Sequence, residues 1–473
     1  VKLSDLAPAE GDVDITGFAL DHRKVVRGNI FGAFRGERFN GEDFIPLAVD
    51  HGAVAVVARP EAAVAGALHI ADAEPRRRFA ELASKFFGPY PETIVAVTGT
   101  NGKTSTVEMT RQLWRMAGHR SASIGTLGVT TADDQVKTGL TTPDIVTFLS
   151  NIAGLERMGI SHVAYEASSH GLDQYRAEGV PLAAVAFTNF SRDHLDYHGT
   201  MEAYFAAKMR LFDEVAGAGT VAVVWTGDPK SAEVLDHIRA RGLGLVTVGP
   251  GEADIALVSR APTPLGQQLV LRYDGREHRL MLPLIGAYQV NNVLTAAGLV
   301  LATGGEWAAT LGGLARVAPV RGRLERAVIT RAGAPVYVDY AHTPDALEAA
   351  IAALRPHVGE GGRLITVFGA GGDRDVGKRA PMGAAAACGS DLVIVTDDNP
   401  RSEDSAAIRR AILEGAPHAT EIAGRREAIA EAIRVARSGD IVLLAGKGHE
   451  TGQIVGETVH PFDDSEVARE CAA

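Results

Sequence analysis

The sequence predicts an α/β protein built as three consecutive domains. Short apolar runs alternate with segments of helical periodicity, the rhythm of mostly parallel sheets covered by helices. The length, 473 residues, corresponds to about three domains at ~100–200 residues each. Two punctuated stretches, Gly88-Pro89-Tyr90-Pro91 and Arg321-Gly322-Arg323, divide the chain. The expected domains are residues 1–91, a small N-terminal α/β domain; 92–320, a central domain with a mostly parallel sheet and a P-loop-like turn; and 321–473, a C-terminal Rossmann-like α/β domain.

In the first block, Val13 to Leu20 and Val54 to Ala58 read as strands separated by a Gly-rich middle, and Phe79 to Phe87 as a helix. The second block opens on the apolar run Ile94 to Val97. Strands follow at His162 to Tyr165, Ala183 to Phe187, Val221 to Trp225 and Leu245 to Val248, with a helix over Met201 to Val215. Alternation on both sides of Asp274-Gly275 makes Gln268 to Leu282 a hairpin. In the third block, strands at Pro335 to Asp339, Leu364 to Phe368, Leu392 to Thr396 and Ile441 to Leu444 alternate with helices such as Pro344 to Leu354 and Arg425 to Arg437. No solenoid-length repeat occurs.

Composition narrows the function. Hydrophobic residues at 46% and charged residues at 22%, with no low-complexity tract, exclude a disordered chain. The 53 glycines imply many turns between strands and helices. A net charge of −11 argues against nonspecific nucleic-acid binding but leaves a local phosphate site open. Cys388 and Cys471 are too few for a disulfide scaffold or zinc cluster and fit a reducing compartment. Val1 to Glu10 has no apolar core, and no apolar stretch of about 18 residues exists. A cytoplasmic protein without membrane or nucleic-acid partners is expected.

Chemistry concentrates after the strand Ile94 to Val97, at Thr98-Gly99-Thr100-Asn101-Gly102-Lys103-Thr104-Ser105. Glycines let backbone N–H groups converge, a helix start adds partial positive charge, Lys103 supplies a cation and Thr104 can hold Mg²⁺. The common phosphate-loop spacing fails, because Val97 stands where the first glycine belongs. A tight strand–helix turn with a solvated lysine is the plain alternative. Glu166 ends the strand His162 to Tyr165, at the sheet end where α/β proteins bind ligands. A second strand leads into Thr188-Asn189-Phe190-Ser191-Arg192-Asp193-His194-Leu195-Asp196. Taken alone, His194 reads as a structural hydrogen-bonder and Lys208 as a surface lysine.

The loop Thr98 to Thr104 resembles the nucleotide loop of the Mur ligases and folylpolyglutamate synthases, ATP-dependent enzymes that form amide bonds. The resemblance extends over essentially the whole chain. It implies ATP as cosubstrate and Mg²⁺ as cofactor. Gly99, Thr100, Asn101, Gly102, Lys103, Thr104 and Ser105 match its ATP-binding loop, and Lys103, His194 and Lys208 its catalytic positions. Thr104, Glu166, His194 and Lys208 are the implied metal ligands. In this family the lysine of the context Tyr204-Phe205-Ala206-Ala207-Lys208 is carbamylated, becoming N6-carboxylysine, an anionic oxygen ligand. Carbamylation needs the neutral amine, so the site must depress an ordinary lysine pKa of ~10.4. Asn292, in Gly286-Ala287-Tyr288-Gln289-Val290-Asn291-Asn292, and Arg323 and Asp339 match nucleotide-contacting positions. Taken alone, Arg323 reads as a linker salt bridge and Asp339 as a strand-end turn.

Within the Mur ligases the first block resembles the uridine-nucleotide domain, with Leu20 and His22 as contacts, His22 standing where serine is usual. Gly28 to Phe31 and Gly36 to Gly41 belong to the same region. Thr141, Thr142, Ser168, Gln174 and Arg176 match positions that hold a UDP-linked muramyl dipeptide. Thr141-Thr142-Pro143-Asp144 also reads as a helix-start cap before Ile145. Asp398-Asn399-Pro400-Arg401 resembles the tetrapeptide of members that add meso-diaminopimelate; alone it is a turn leading into a helix. Arg401 and Arg374 would grip the distal carboxylate, which a planar guanidinium fork suits, with Gly446 and Glu450 for the distal ammonium. The implied reaction joins diaminopimelate to the side-chain carboxylate of the D-glutamate of the UDP-N-acetylmuramoyl dipeptide, through an acyl phosphate, in peptidoglycan precursor synthesis. A monomer is expected. Lysine addition, folate chemistry and a nucleotide switch without ligase activity are the rivals.

Overall fold

The computed structural model describes residues 1–7, 12–36, 39–136, 139–373 and 375–473. Chain packing divides it into two units, residues 1–254 with 294–310, and 255–293 with 311–473.

In the first unit, Gly17–Ala19, Asn29–Gly32, Ala55–Ala58 and Leu68–Ala71 form a parallel four-stranded sheet in that order. The helix Pro75–Phe87 covers it, with the Phe79 ring edge-on to Phe18 at 5.2 Å and to Phe34 at 5.5 Å. The strand expected over Val13 to Leu20 is shorter. Its polar first half bonds back to the N-terminus through Ile15 N–H and the Val1 carbonyl (2.7 Å). Asp21 ends it by capping a 3₁₀ turn, His22–Lys24. The Gly-rich middle contains the wholly buried strand Asn29–Gly32, whose brevity hid it. The expected boundary near residue 91 lies between Pro75–Phe87 and the strand Thr93–Thr98, inside this unit.

The central sheet of this unit runs Gly244–Pro250, Val221–Trp225, Ala184–Phe187, Thr93–Thr98, His162–Glu166, Ser121–Gly125, Gly128–Thr130 and Gln135–Val136. Its first six strands are parallel and the last two antiparallel. The strand Ser121–Gly125 was not expected, because its serines mask a buried segment. Ser121 Oγ donates to the Arg111 carbonyl (2.9 Å) and Ser123 Oγ to Glu108 (2.9 Å), which meets the cost of burying hydroxyls. The helix expected over Met201 to Val215 is α-helical for Met201–Arg210 and then widens into a π turn, Leu211–Val215.

In the second unit, Ile255–Thr263, Gly266–Tyr273 and Arg276–Leu282 form an antiparallel meander. The expected hairpin turn is present, with Asp274 and Gly275 both at positive φ (47° and 71°), as a two-residue turn of that kind requires. A six-stranded sheet follows in the order Glu325–Ile329, Pro335–Asp339, Ile441–Ala445, Leu364–Phe368, Leu392–Val395 and Thr420–Glu421. Only its first strand is antiparallel. Sheets of this kind bind ligands at the carboxyl ends of their strands. Among the described residues no helix is long and apolar enough to cross a membrane.

Candidate active site

The loop after Thr93–Thr98 is shaped by backbone geometry. Gly99 (φ 142°) approaches the Thr188 hydroxyl so closely that a Cβ would lie 2.0 Å from it. Gly102 (φ 84°) caps the helix Lys103–Met116 in the left-handed region. The segment after Ala184–Phe187 braces the loop. Asn189 accepts from Asn101 N–H (2.9 Å) and donates to the Asn101 carbonyl (3.0 Å). Thr188 Oγ1 donates to the same carbonyl (2.6 Å), and Thr100 Oγ1 accepts from Ser191 N–H (3.0 Å) and the Tyr204 hydroxyl (3.2 Å). Thr188 and Asn189 had no expected role; only their place after a strand marked them.

Two lysine side chains converge on one carbonyl. Lys103 Nζ donates to Gly99 O (2.9 Å) and Thr100 O (2.8 Å), and Lys208 Nζ donates to Gly99 O (2.8 Å). Lys208 is 1% exposed and lies over the Tyr204 ring at 4.3 Å. It is therefore not a surface lysine. Burial first, and the charge of Lys103 second, push its pKa well below the usual lysine range. His194, at φ 52°, sets its ring edge-on to Tyr204 at 5.9 Å and to His170 at 4.8 Å.

Glu166 pairs in register with Val97, so its carboxylate stands beside the start of the loop. It is 2% exposed and accepts from Thr126 N–H (2.7 Å) and Thr126 Oγ1 (3.3 Å). No described lysine, arginine or histidine forms an ion pair with it. A buried carboxylate left without a cation fits a magnesium ligand, with Thr104 at the helix start close in sequence to Lys103. Among the described residues no three His, Cys, Asp or Glu side chains gather into a metal group. A magnesium ion with one protein carboxylate and phosphate oxygens has no need of one.

The five positions matched to the muramyl dipeptide form one network. Thr142 Oγ1 meets Ser168 Oγ (2.9 Å) and donates to the Glu166 carbonyl (2.9 Å). Thr141 Oγ1 meets Thr126 Oγ1 (3.1 Å). Arg176 donates to the Thr142 carbonyl (3.5 Å) and to Gln174, which donates to the Tyr197 hydroxyl (2.9 Å). Asp144 caps the helix Ile145–Arg157 through Val146 and Thr147 N–H, both 3.1 Å, so the helix-start reading also holds. In the four-stranded sheet region, His22 stacks flat on Phe44 at 4.7 Å.

In the second unit, Asn292 donates to Gln289 (3.0 Å), and Gln289 to the Arg323 carbonyl (2.9 Å). Arg323 lies over the Tyr340 ring at 5.0 Å. Asp339 accepts from Leu324 N–H (2.8 Å) and Ala341 N–H (2.9 Å), and burial raises its pKa against the pull of Arg323. Asp398, Asn399 and Pro400 are buried, and Arg401 sits at φ 53°. Arg401 Nη1 donates to the Gly372 carbonyl (2.7 Å). Asn399 donates to Glu450 (2.9 Å) and accepts from Lys447 Nζ (3.1 Å) and Ile454 N–H (3.0 Å). Gly446 lies so close to Asp398 that a Cβ would be 2.7 Å from the carboxylate. Arg374 lies outside the described residues, as do two positions of Gly36 to Gly41. Lys447 and Arg425 had no expected role. Lys447 is wholly buried and ties Asn399 to Glu450 (3.3 Å) and the Gly452 carbonyl (2.7 Å). Arg425, equally buried, grips Asp464 at 2.6 Å and stands 4.0 Å from Asp398. The Gly446-Lys447-Gly448 spacing was a usable signal for the first; the sequence held none for the second.

Comparison with known proteins places these features in a family. Residues 97–300 match the Mur ligase middle domain and residues 322–448 the Mur ligase glutamate ligase domain. A UDP-N-acetylmuramoyl-L-alanyl-D-glutamate–2,6-diaminopimelate ligase of Zymomonas mobilis is 57% identical over 469 residues, 98% of this chain and 96% of that protein. A protein of the same name from Caulobacter vibrioides is 49% identical over 473 residues, 98% of this chain and 97% of that protein. A solved structure, also of a UDP-N-acetylmuramoyl-L-alanyl-D-glutamate–2,6-diaminopimelate ligase, superposes with a TM-score of 0.77 at 33% identity, covering 100% of this chain and 98% of that one.

Proposed function

The chain belongs to the Mur ligase family, an ATP-dependent ligase family, and from that membership we propose that it joins meso-diaminopimelate to the D-glutamate side chain of UDP-N-acetylmuramoyl-L-alanyl-D-glutamate. The convergence of Lys103 and Lys208 on the Gly99 carbonyl carries the reading. Lys103 at the mouth of a glycine turn, where a helix begins, makes an electropositive cradle for the polyphosphate of ATP.

ATP phosphorylates the side-chain carboxylate, giving an acyl phosphate and ADP. The diaminopimelate amine then attacks the acyl carbon, loses a proton, and phosphate leaves as the amide forms. Lys103 exchanges its loop carbonyls for phosphoryl oxygens and offsets the charge that develops on the transferring group. The hydroxyls of Thr142 and Ser168 and the guanidinium of Arg176 orient the dipeptide, holding the reacting carboxylate in one pose. Asn292, Arg323 and Asp339 are assigned to the nucleotide.

Thr104, Glu166, His194 and Lys208 as its carbamate are the proposed magnesium ligands. Bound magnesium supplies charge neutralisation at phosphate oxygens. Lys208 suits carbamylation because burial disfavours its protonated form: the amine adds to CO₂, releases one proton and becomes an anion. Arg401 and Arg374 are assigned to the distal carboxylate of diaminopimelate, with Asp398, Asn399 and Pro400 shaping the loop. Gly446 and Glu450 are assigned to the distal ammonium. A cytoplasmic, monomeric enzyme is part of the same reading.

The test is an ATP-dependent ligation assay with the purified muramyl dipeptide nucleotide and a panel of diamino acids. Phosphate release that requires diaminopimelate is expected. Release without any amino acid, or with lysine used equally well, would overturn the assignment.

A further inference from the structure

Arg76 and Arg176 are two arginines that form no direct ion pair with a described carboxylate. Arg76 opens the helix Pro75–Phe87, and Arg176 belongs to the Thr142 network. Arg76 donates to the Arg35 carbonyl (3.1 Å), and its guanidinium lies over the Phe34 ring at 5.0 Å. Both guanidinium groups are substantially desolvated; the charge of Arg176 acts unfavourably on Arg76, and Asp173 and Asp144 act favourably on Arg76 and Arg176 without bonding them. The nearby carboxylates are engaged elsewhere. Glu74 lies 3.7 Å from Arg77, Asp173 accepts from the Tyr197 hydroxyl (2.7 Å), and Asp144 caps its helix. Among the described residues no carboxylate forms an ion pair with Arg76 or Arg176. Two half-buried like charges without a direct ion pair leave donors for an anion from outside.

Position says which anion. A Cβ on Gly32 would lie 2.7 Å from the Phe34 ring and 2.8 Å from Leu20, so Leu20 and Phe34 pack on one spot. Arg76 stacks on that same Phe34. It therefore joins Leu20, the proposed uridine contact, to Arg176, the proposed peptide contact. In a UDP-linked muramyl dipeptide the group between uridine and muramyl peptide is the diphosphate, with two negative charges.

We propose that Arg76, with Arg176 beside it, binds the diphosphate of the nucleotide-linked substrate and selects that substrate over the free muramyl peptide. The inference rests on the proposed substrate class and adds a residue to it. Guanidinium groups suit the site because their planar fork matches phosphate oxygens.

The experiment titrates UDP-N-acetylmuramoyl-L-alanyl-D-glutamate, and separately N-acetylmuramoyl-L-alanyl-D-glutamate, into the full chain by calorimetry without ATP. Wild type, Arg76→Ala and Arg76→Lys are compared, with melting temperatures to check the fold. Arg76→Ala should bind the nucleotide-linked compound about 10- to 100-fold more weakly, the loss of one charge-assisted contact. Its affinity for the free peptide should be unchanged, and Arg76→Lys should recover part of the loss. Unchanged affinity of Arg76→Ala for the nucleotide-linked compound, or an equal loss towards both compounds, would overturn the proposal. A wild type that binds the nucleotide but performs no ligation would remove the ligase reading and leave the Arg76 assignment standing.

Discussion

Lys103 and Lys208 share a carbonyl but differ in surroundings, and that difference separates their tests. Lys103 sits at the helix start and its ammonium bonds the Gly99 and Thr100 carbonyls of the loop, so Lys103→Ala should keep the fold and lose turnover. Circular dichroism and phosphate release measured together check this; near-normal release would refute the role. Lys208 is buried with its pKa lowered, so the folded state disfavours its protonated form. The unfolded chain then binds more protons above the folded pKa, and stability rises with pH until the ordinary lysine range is reached. In metal-free, CO₂-free buffer, Lys208→Met should therefore melt higher than wild type at neutral pH, with the gap closing towards pH ~10. The same variant should be inactive. Lys208→Ala should be nearly inactive too, with partial rescue by formate. Arg401 governs amino-acid choice. Lysine lacks the distal carboxylate and would leave a guanidinium poorly paired, at a cost of roughly 1–3 kcal/mol, or about one to two decades. Sites built around a polar group can reject analogues lacking it by ~10⁴–10⁵. Wild type should strongly prefer diaminopimelate, and Arg401→Ala should lose mainly that preference while keeping its affinity for ATP. Comparing kcat/KM for both amino acids in both proteins decides it.

At the scale of elements, two loops act as braced units. The segment Thr188–Ser191 clamps the phosphate loop through the Asn101 backbone, so Asn189→Ala should raise KM for ATP several-fold with little change in melting temperature. In the second unit, the turn containing Gly372 packs on the loop Asp398–Arg401. A Cβ at Gly372 would lie 1.9 Å from the Pro400 carbonyl, an atom of the backbone that a side-chain rotation cannot move. Gly372→Ala should displace that loop and disturb Arg401, whose guanidinium is oriented by the Gly372 carbonyl. The expected result is a KM for diaminopimelate raised by about tenfold or more, a shift of ~1.4 kcal/mol, with ATP affinity retained. Steady-state kinetics on both substrates checks it.

For the molecule as a whole, acid stability should depend on His162. This residue begins a strand of the central sheet and is 7% exposed, with its ring against His119 (4.1 Å) and Trp114 (5.0 Å). Burial first, and His119 second, lower its pKa to about 4. The neutral form is the folded one, so between the unfolded value of ~6.5 and about 4 the unfolded chain binds the extra proton. That part of the stability is complete above pH ~6.5 and is lost as pH falls towards 4. Melting temperatures taken from pH 7 to 4.5 should fall more steeply in wild type than in His162→Gln. Parallel curves would refute the assignment.

Much of this protein was legible along the chain. Pro335–Asp339 and Leu364–Phe368 end where their apolar runs end, because a buried parallel strand is a continuous apolar run bounded by polar turns. The phosphate loop was legible because glycines, a lysine and a threonine are adjacent in sequence and act through the local backbone. Ser121–Gly125 was not, since its serines are satisfied only when the preceding helix packs against the strand. The same holds for the site. Sequence marked Glu166 but not Thr126, which holds it, and marked Asn399 and Glu450 but not the buried Lys447 that joins them. The character of Lys208 was decided in three dimensions alone: a lysine on a short helix becomes a buried amine with its protonated form disfavoured only when Tyr204, Gly99 and Lys103 close around it. Sequence by itself determined what local backbone and periodicity dictate, which is the order of strands and helices, the phosphate turn and the candidate contacts. Tertiary structure decided which polar groups lose water together, and desolvation, which shifts pKa values and brings Arg76 and Arg176 together half-buried, is a property of packing that no single stretch of chain contains.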